Sequence, residues 1–400
     1  MAWAPAHRAV DAAYELHDTL YASSEAERDE RMRQAQARAL AAVDACEAAA
    51  EAEGGGAKAR LSYLRGKALA STAAGRDSEE AERLLADAVK LQPSLNDAWN
   101  CLGECYWSRG EHEMARYTFL TALEHGRTAD TLYHLSMLQR MIGRPGASTE
   151  TVLQESVQLA KEAVRLDASS ARTWCGLGNA HLTLYARASS SAEDLRMAHR
   201  AFLQADKART EAGGPDHDAD MHVNHGTVCS LLGLFAEAIA HFSQAHALDP
   251  TIGALLKQQQ TWAHVARLSE LIATKAGLKP KKFSSLVDEL PAASLPLSKL
   301  QLGQNPGKAP HVVVIYVMPQ DKARCHPCVV VSDREGQCVA LLVFPSRGAT
   351  LQLQVGDAIE VVDPTLCRVE VEHPEAASVR AGFHLISASA AITPLRAHRP

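Results

Sequence analysis

Across 400 residues, 41 Lys and Arg stand against 47 Asp and Glu, a formal net charge of −6. Such a chain has length for two or three domains with a sizeable core, and its charge gives no general nucleic-acid footprint, only room for a local basic patch. No apolar run reaches membrane-spanning length, and nine cysteines without the repeated paired spacing of a disulfide framework point to a reducing cytosol or nucleus.

Met1-Ala2-Trp3-Ala4-Pro5 lacks the charged-then-apolar layout of a secretory signal. From about 8 to 52 the chain is rich in Ala, Glu and Arg, with Leu and Tyr at helical intervals. Residues 1–56 are therefore expected to form N-terminal helices that end at the Gly54-Gly55-Gly56 breaker.

Beyond it a pattern with a period in the mid-thirties sets in, clearest at Trp99, Leu102, Gly103 and Tyr106, followed by Ala115, Phe119 and Ala122. This is W-x2-L-G-x2-Y and then A-x3-F, the two-helix signature of a tetratricopeptide repeat. Trp99, Leu102 and Tyr106 share one stripe of the first helix, and Gly103 lets the second helix come close. An earlier copy has Gly66, then Ala81, Leu85 and Ala88, closed by Pro93. A third has Leu132, Leu135 and Ser136, then Ala160, Ala163, Leu166 and Asp167. The fourth repeats the pattern at Trp174, Leu177 and Gly178, with Ala198, Phe202 and Ala205 delayed by the insert Ser189-Ser190-Ser191. A fifth has Gly226, Ala238, Phe242, Ala245 and Pro250, and 251–274 reads as an amphipathic capping helix.

Lys275, Lys279, Lys281 and Lys282 form a basic hinge, and Pro291, Pro296, Pro306 and Pro310 mark a linker. Apolar β-type runs follow at 311–318, 328–332, 337–344, 358–362 and 368–372, separated by turn residues such as Asp333-Arg334-Glu335-Gly336. The expected fold class is α+β and multidomain: N-terminal helices (1–56), an α-solenoid of tetratricopeptide repeats with its cap (57–276), a linker (277–310) and a small β-barrel (311–400). A five-stranded OB-fold leads for the barrel, with a small sandwich as the alternative.

In a stacked array, positions 2, 5, 9 and 12 of each first helix share one face and line the concave groove. Counting from the small residue at position 8 places Asn100, Glu104 and Trp107 there from the second repeat and Arg140 from the third. Asn179 comes from the fourth and Asp220 from the fifth, with Asn224 one position off. Asn can hold a peptide backbone, Arg140 can pair a ligand carboxylate, Asp220 a ligand cation, and Trp107 an apolar group. The alternative use of these residues is as solvated surface or helix-to-helix hydrogen bonds.

Other constellations are weaker. Cys325-His326-Pro327-Cys328 lacks a second half-site for zinc and a βαβ setting for redox work. Asp216, His217, Asp218 and Asp220 precede a helix, where capping is the simpler role. No phosphate loop, nucleophile elbow or metalloprotease motif is found, so neither enzyme activity nor a cofactor or metal is expected. Residues 297–400 hold ten Lys and Arg against nine Asp and Glu and few aromatics, a poor platform for single strands. The Lys275–Lys282 cluster could touch RNA or a ribosomal surface, or be solvated.

The segment Ala81-Glu82-Arg83-Leu84-Leu85 to Ala88-Val89-Lys90-Leu91-Gln92-Pro93, the Trp99 block, Leu135-Ser136-Met137, Trp174 to Asn179, Asp220-Met221-His222-Val223-Asn224 and Ala247-Leu248-Asp249-Pro250, ahead of an appended barrel, resemble the Strap family, tetratricopeptide repeat protein five. The resemblance runs from about 57 to 282 and more weakly through the barrel. It implies two capacities. One is a ribosome-associated adaptor that binds the nascent tubulin N-terminus, Met-Arg-Glu, and engages a decay factor to destroy tubulin mRNA. The other is a nuclear stress-response cofactor that scaffolds acetyltransferase coactivator complexes. It further implies that the groove arginine falls on Arg140, the groove aspartate on Asp220, and the ribosome- or effector-facing basic patch on Lys279 and Lys281. A further acidic groove position falls on Ala254, where this chain departs. The implied partners are proteins, with a ribosomal RNA contact and no membrane, and the implied location is cytoplasmic and nuclear.

Overall fold

One small residue per helical hairpin lets paired helices touch, and the sequence repeats it. In the computed structural model, which describes residues 3–19, 25–53, 55–143, 146–213, 218–319, 328–344, 353–373, 376–389 and 392–394, the chain divides into two compact units. The first comprises Met1–Thr183 with Ala201–Asp218, the second Leu184–Arg200 with Ala219–Pro400.

The helices begin with α1 (Trp3–Thr19), α2 (Glu25–Asp44), α3 (Glu47–Glu53), α4 (Gly55–Leu69), the short α5 (Ala73–Arg76) and α6 (Glu79–Leu91). There follow α7 (Asn96–Ser108), α8 (His112–His125), α9 (Ala129–Ile142), α10 (Thr149–Leu166), α11 (Ala171–Leu184) and α12 (Ala192–Ala212). The series ends with α13 (Ala219–Leu232), α14 (Phe235–Leu248), α15 (Ala254–Ala273) and α16 (Pro280–Asp288).

A Cβ on Gly66 would stand 2.8 Å from Leu85 Cγ, one on Gly103 2.5 Å from Phe119 Cε1, one on Gly178 2.7 Å from Phe202 Cε1, and one on Gly226 2.8 Å from Phe242 Cε1. Where the third repeat has Ser136, the close approach becomes a polar clasp. Ser136 Oγ donates to the Ser156 carbonyl, and Ser156 Oγ donates to that of Ser136, both at 2.9 Å. Phe119 and Phe202 are fully buried in these crossings, so close packing and the hydrophobic effect reward the same positions. Trp99 and Trp174 act alike: each indole Nε1 donates at 2.9 Å to the carbonyl six residues back, Pro93 or Ala168. This ties each first helix to the turn before it. The Ser-rich insert forms the break between α11 and α12, a π-turn over Tyr185–Ser189 closed by Ser190 in the left-handed region.

In the second unit, α13, α14, α15 and α16 accompany a sheet of β1 (Gly303–Gln304), β2 (His311–Val317), β3 (Cys328–Ser332), β4 (Cys338–Phe344), β5 (Ala358–Val361), β6 (Thr365–His373), β7 (Ala376–Ser389) and β8 (Ile392–Pro394). Among the described residues the order is β1-β6-β7-β4-β3-β2-β5-β8. β2, β3 and β4 form a meander, β4 runs parallel to β7, and β6 and β7 pair antiparallel. β5 pairs β2 and is joined to β6 through Asp363, whose φ is 49°. Val312, Val314, Val329, Val331, Val339, Leu341, Ile359 and Ile386 fill the interior. Strand β7, rich in Ala and Ser, has no apolar run to announce it; its pairing with β4 and β6 decides it.

The compositional change near Lys275 is not where the contacts divide. Ser269 Oγ on α15 donates to the Gly382 carbonyl of β7 at 3.3 Å, and the Trp262 and His373 rings meet edge-on at 5.0 Å. The segment expected as a linker is folded, which corrects that reading. Phe283, Val287, Leu290, Leu297 and Leu300 are buried. Buried Asp333 accepts from Leu297 N and from Gln337 N, each at 2.8 Å, and Asn305 bridges Gln301 through both of its amide atoms. Prolines suggest a linker because they break regular structure; apolar residues between them, and acceptors elsewhere for their N–H groups, pack the segment instead.

Candidate functional site

In the first unit the groove register is occupied by residues of unequal freedom. Asn100 is buried on α7, and its Oδ1 accepts from Thr131 Oγ1 at 2.8 Å. Thr131 belongs to the capped first turn of α9, where Thr128 Oγ1 accepts from Thr131 N at 3.2 Å. Asn100 thus joins one repeat to the next. Glu104, one turn on, accepts from His134 Nε2 at 3.0 Å and from the Tyr14 hydroxyl of α1. Burial pushes its carboxyl up, but His134, Arg172 and the Tyr14 hydrogen bond together outweigh that and hold it well below the ordinary carboxylate range. Trp107 lies half-buried against the Ala115, Phe119, Leu135 and Leu138 cluster. For Asn100, Glu104 and Trp107 the structure therefore shows helix-to-helix packing and bonding.

Arg140 is different. At 8 % exposed it is a buried guanidinium whose Nη1 donates to Ser136 Oγ at 3.2 Å. Burial lowers its pKa to about 10, partly opposed by Tyr133. Tyr133 lies over Gly176, where a Cβ would come within 2.7 Å of the ring, and the Arg172 guanidinium sits 4.7 Å from the ring centroid. Burial pushes the Tyr133 hydroxyl up while Arg172 and then Arg140 pull it back. Arg172 thus packs over Tyr133, on the register that also carries Arg140, and a guanidinium suits a carboxylate or other planar anion. Asn179 is half-buried on α11, its carbonyl accepting from Thr183 Oγ1 at 2.7 Å. Tyr133 and Arg172 were missed in the sequence although they hold positions 5 and 2 of their repeats, the same register that located Arg140. Tyr14 carries no such signal, because it comes from a non-repeat helix 90 residues from Glu104.

In the second unit Asp220 is exposed in the first turn of α13, with Asn224 half-buried one turn later. Burial of part of the carboxyl, then the Asp249 charge, pushes the Asp220 pKa up, so this anion is held at a cost that a cationic partner would relieve. Ala254 is fully buried at the start of α15, which leaves no groove surface at that position. Lys275, Lys279, Lys281 and Lys282 are all exposed. Lys275, with φ at 50°, places Nζ 4.3 Å from the Phe283 ring centroid, and Lys279 is the N-cap of α16. Asp216, His217, Cys325, His326 and Pro327 lie outside the described residues.

No family model matches the chain. Tetratricopeptide repeat protein 5 of Mus musculus is 32% identical over 339 residues, covering 79% of this chain and 76% of that protein. The Homo sapiens protein of the same name is 31% identical over 339 residues, with 79% and 76% covered. Among solved structures, YrrB, a protein of the same repeat class with an unusual peptide-binding site, is similar at 18% identity and a TM-score of 0.35, over 53% of this chain and 97% of that one.

Proposed function

The chain belongs to the tetratricopeptide repeat protein 5 family, and from that premise we propose that it is a non-enzymatic adaptor that takes a short charged peptide on its repeats. The observation that carries this reading is the buried Arg140 guanidinium on the groove register, which also carries Tyr133 with Arg172 packed on its ring. A guanidinium shielded from water holds a carboxylate more strongly than an exposed one, because less water competes for it. Arg140 takes a peptide carboxylate, assisted by Arg172, and Asp220 takes a basic side chain. Asn179 and Asn224 serve the peptide backbone. The peptide is the nascent tubulin N-terminus, Met-Arg-Glu, on the ribosome, and the outcome is decay of tubulin mRNA. Lys275, Lys279, Lys281 and Lys282 face the ribosome, its RNA, or a decay factor. Localisation is cytoplasmic and nuclear.

The C-terminal sheet is read as an OB-type barrel. The β2-β3-β4 meander, the parallel β4–β7 pair and the passage of β5 into β6 through Asp363 support it. A second capacity, scaffolding acetyltransferase coactivators in the nucleus, follows from the family resemblance and would use the barrel.

Fluorescence anisotropy with a Met-Arg-Glu-initiated peptide against a scrambled control tests the principal reading. Arg140→Glu and Asp220→Lys, assayed separately, should each weaken binding by about tenfold or more, as expected for a charge pair worth at least ~1.4 kcal/mol. Equal affinity for the scrambled peptide, or for both variants, overturns it and leaves the coactivator reading.

A further inference from the structure

A second set of residues in the second unit has the chemistry of a metal site. His225 and Cys229 stand four residues apart on α13, hence on one helix face. Both are fully buried. From α12, His199 points its Nδ1 at them, 3.1 Å from His225 Nε2 and 3.7 Å from Cys229 Sγ. From α14, Glu237 places Oε2 3.9 Å from Cys229 Sγ.

These separations can be compared with a coordination shell. With Zn–N near 2.0–2.1 Å and Zn–S near 2.3 Å, a tetrahedron has N···N edges of about 3.3 Å and N···S edges of about 3.6 Å. The observed 3.1 and 3.7 Å differ from those edges by about 0.2 Å or less. We propose that His199, His225 and Cys229 bind one Zn²⁺ ion, with Glu237 as the fourth ligand.

His199 coordinates through Nδ1 and His225 through Nε2, so each ring keeps its proton on the other nitrogen. The Cys229 thiol loses its proton to solvent as the S–Zn bond forms. Glu237 is exposed, which gives the ion a path in and a ligand that water can replace. The ion would staple α12, α13 and α14 within the second unit. The inference is independent of the peptide reading and goes beyond it.

The test uses the untagged, metal-free full chain titrated with CoCl₂ and then ZnCl₂. One Co²⁺ should bind per chain with a thiolate-to-metal charge-transfer band and the visible bands of a four-coordinate ion, and Zn²⁺ should displace it. Cys229→Ser should lose the charge-transfer band, and His199→Gln should lose stoichiometric binding. Circular dichroism of both metal-free variants should match the parent, and a metal-dependent rise in melting temperature should occur only in the parent. If a variant proves unfolded, the parent titration still decides. No thiolate band, no stoichiometric binding, or a band that survives Cys229→Ser overturns the assignment.

Discussion

Glu104→Ala separates a groove residue from a structural bridge. The carboxylate side chain is 15% exposed, its partner His134 3%, and it also accepts from Tyr14. Removing one member of a buried pair costs about 3–5 kcal/mol, because the other is left desolvated. The residual access of water to Glu104 places the loss near the lower end, about 3 kcal/mol. In a unit of roughly two hundred residues, at about 2–4 °C per kcal/mol, the melting temperature should fall by about 6–12 °C. The pH dependence has a fixed sign. Glu104 is held below the ordinary carboxylate range when folded, so its contribution is full above the unfolded value and is lost as pH falls through the depressed folded one. The gap between wild type and Glu104→Gln should therefore be constant near neutrality and close only in strong acid. Calorimetry of the full chain across pH, with the His134→Ala and double variants, provides the measurement, and the double should be little worse than either single. A melt within about 2 °C of wild type, combined with lost peptide binding, would refute the bridge and return Glu104 to the groove.

Four further outcomes can be checked by denaturant or thermal unfolding. Gly103→Ala should destabilise by about 1–2 kcal/mol despite the better helix propensity of Ala, because the new methyl meets the immobile Phe119 ring at 2.5 Å. Gly56→Ala, with open space around it, should stabilise by up to ~1 kcal/mol; the same sign for both would sink the close-packing argument. Ser136→Ala should cost about 1–3 kcal/mol by orphaning its buried partner, while Ser136→Ala with Ser156→Ala should cost less than the summed singles. Arg140→Met should change stability by no more than about 1 kcal/mol, since burial depresses the arginine pKa and a buried charge replaced by an apolar chain of similar length is often near neutral; a loss above about 3 kcal/mol would refute this. For Asp220, whose folded pKa is raised, the unfavourable contribution grows as pH rises through that value. Asp220→Asn should therefore stabilise slightly at neutral pH, by roughly 0.2–1 kcal/mol, and not below the unfolded carboxylate pKa.

The repeat ruler was legible because steric need repeats with the sequence. A small residue at Gly66, Gly103, Ser136, Gly178 and Gly226 opposite a large or hydroxyl-bearing one is a local pattern with a non-local consequence. Four of the five expected β runs kept their bounds within a residue, and the fifth, 368–372, extended to Thr365–His373, because alternating and continuous Val runs mark strands directly. Strand β7 was illegible, since Ala, Ser and Gly fit helix or sheet until a partner strand supplies hydrogen bonds. The segment 277–310 departs from expectation for a related reason: prolines are visible in a sequence, whereas the Asp333 side chain that ties the segment down comes from beyond it, and the Asn305–Gln301 clasp forms only when the segment folds back on itself.

Register also picks out Arg140 and Asp220 as groove candidates, and the same count reaches Tyr133 and Arg172. It could not tell that Asn100, Glu104 and Trp107 bond or pack against neighbouring helices rather than standing open to solvent. That distinction depends on Thr131, His134 and Tyr14, two from the next repeat and one from a helix outside the array. By itself the sequence determined the repeat class, its phase and the position of the charged register residues. Only the tertiary structure decided that Asn100 and Glu104 bond across helices, because desolvation and hydrogen-bond partnership depend on groups that chain order does not bring together.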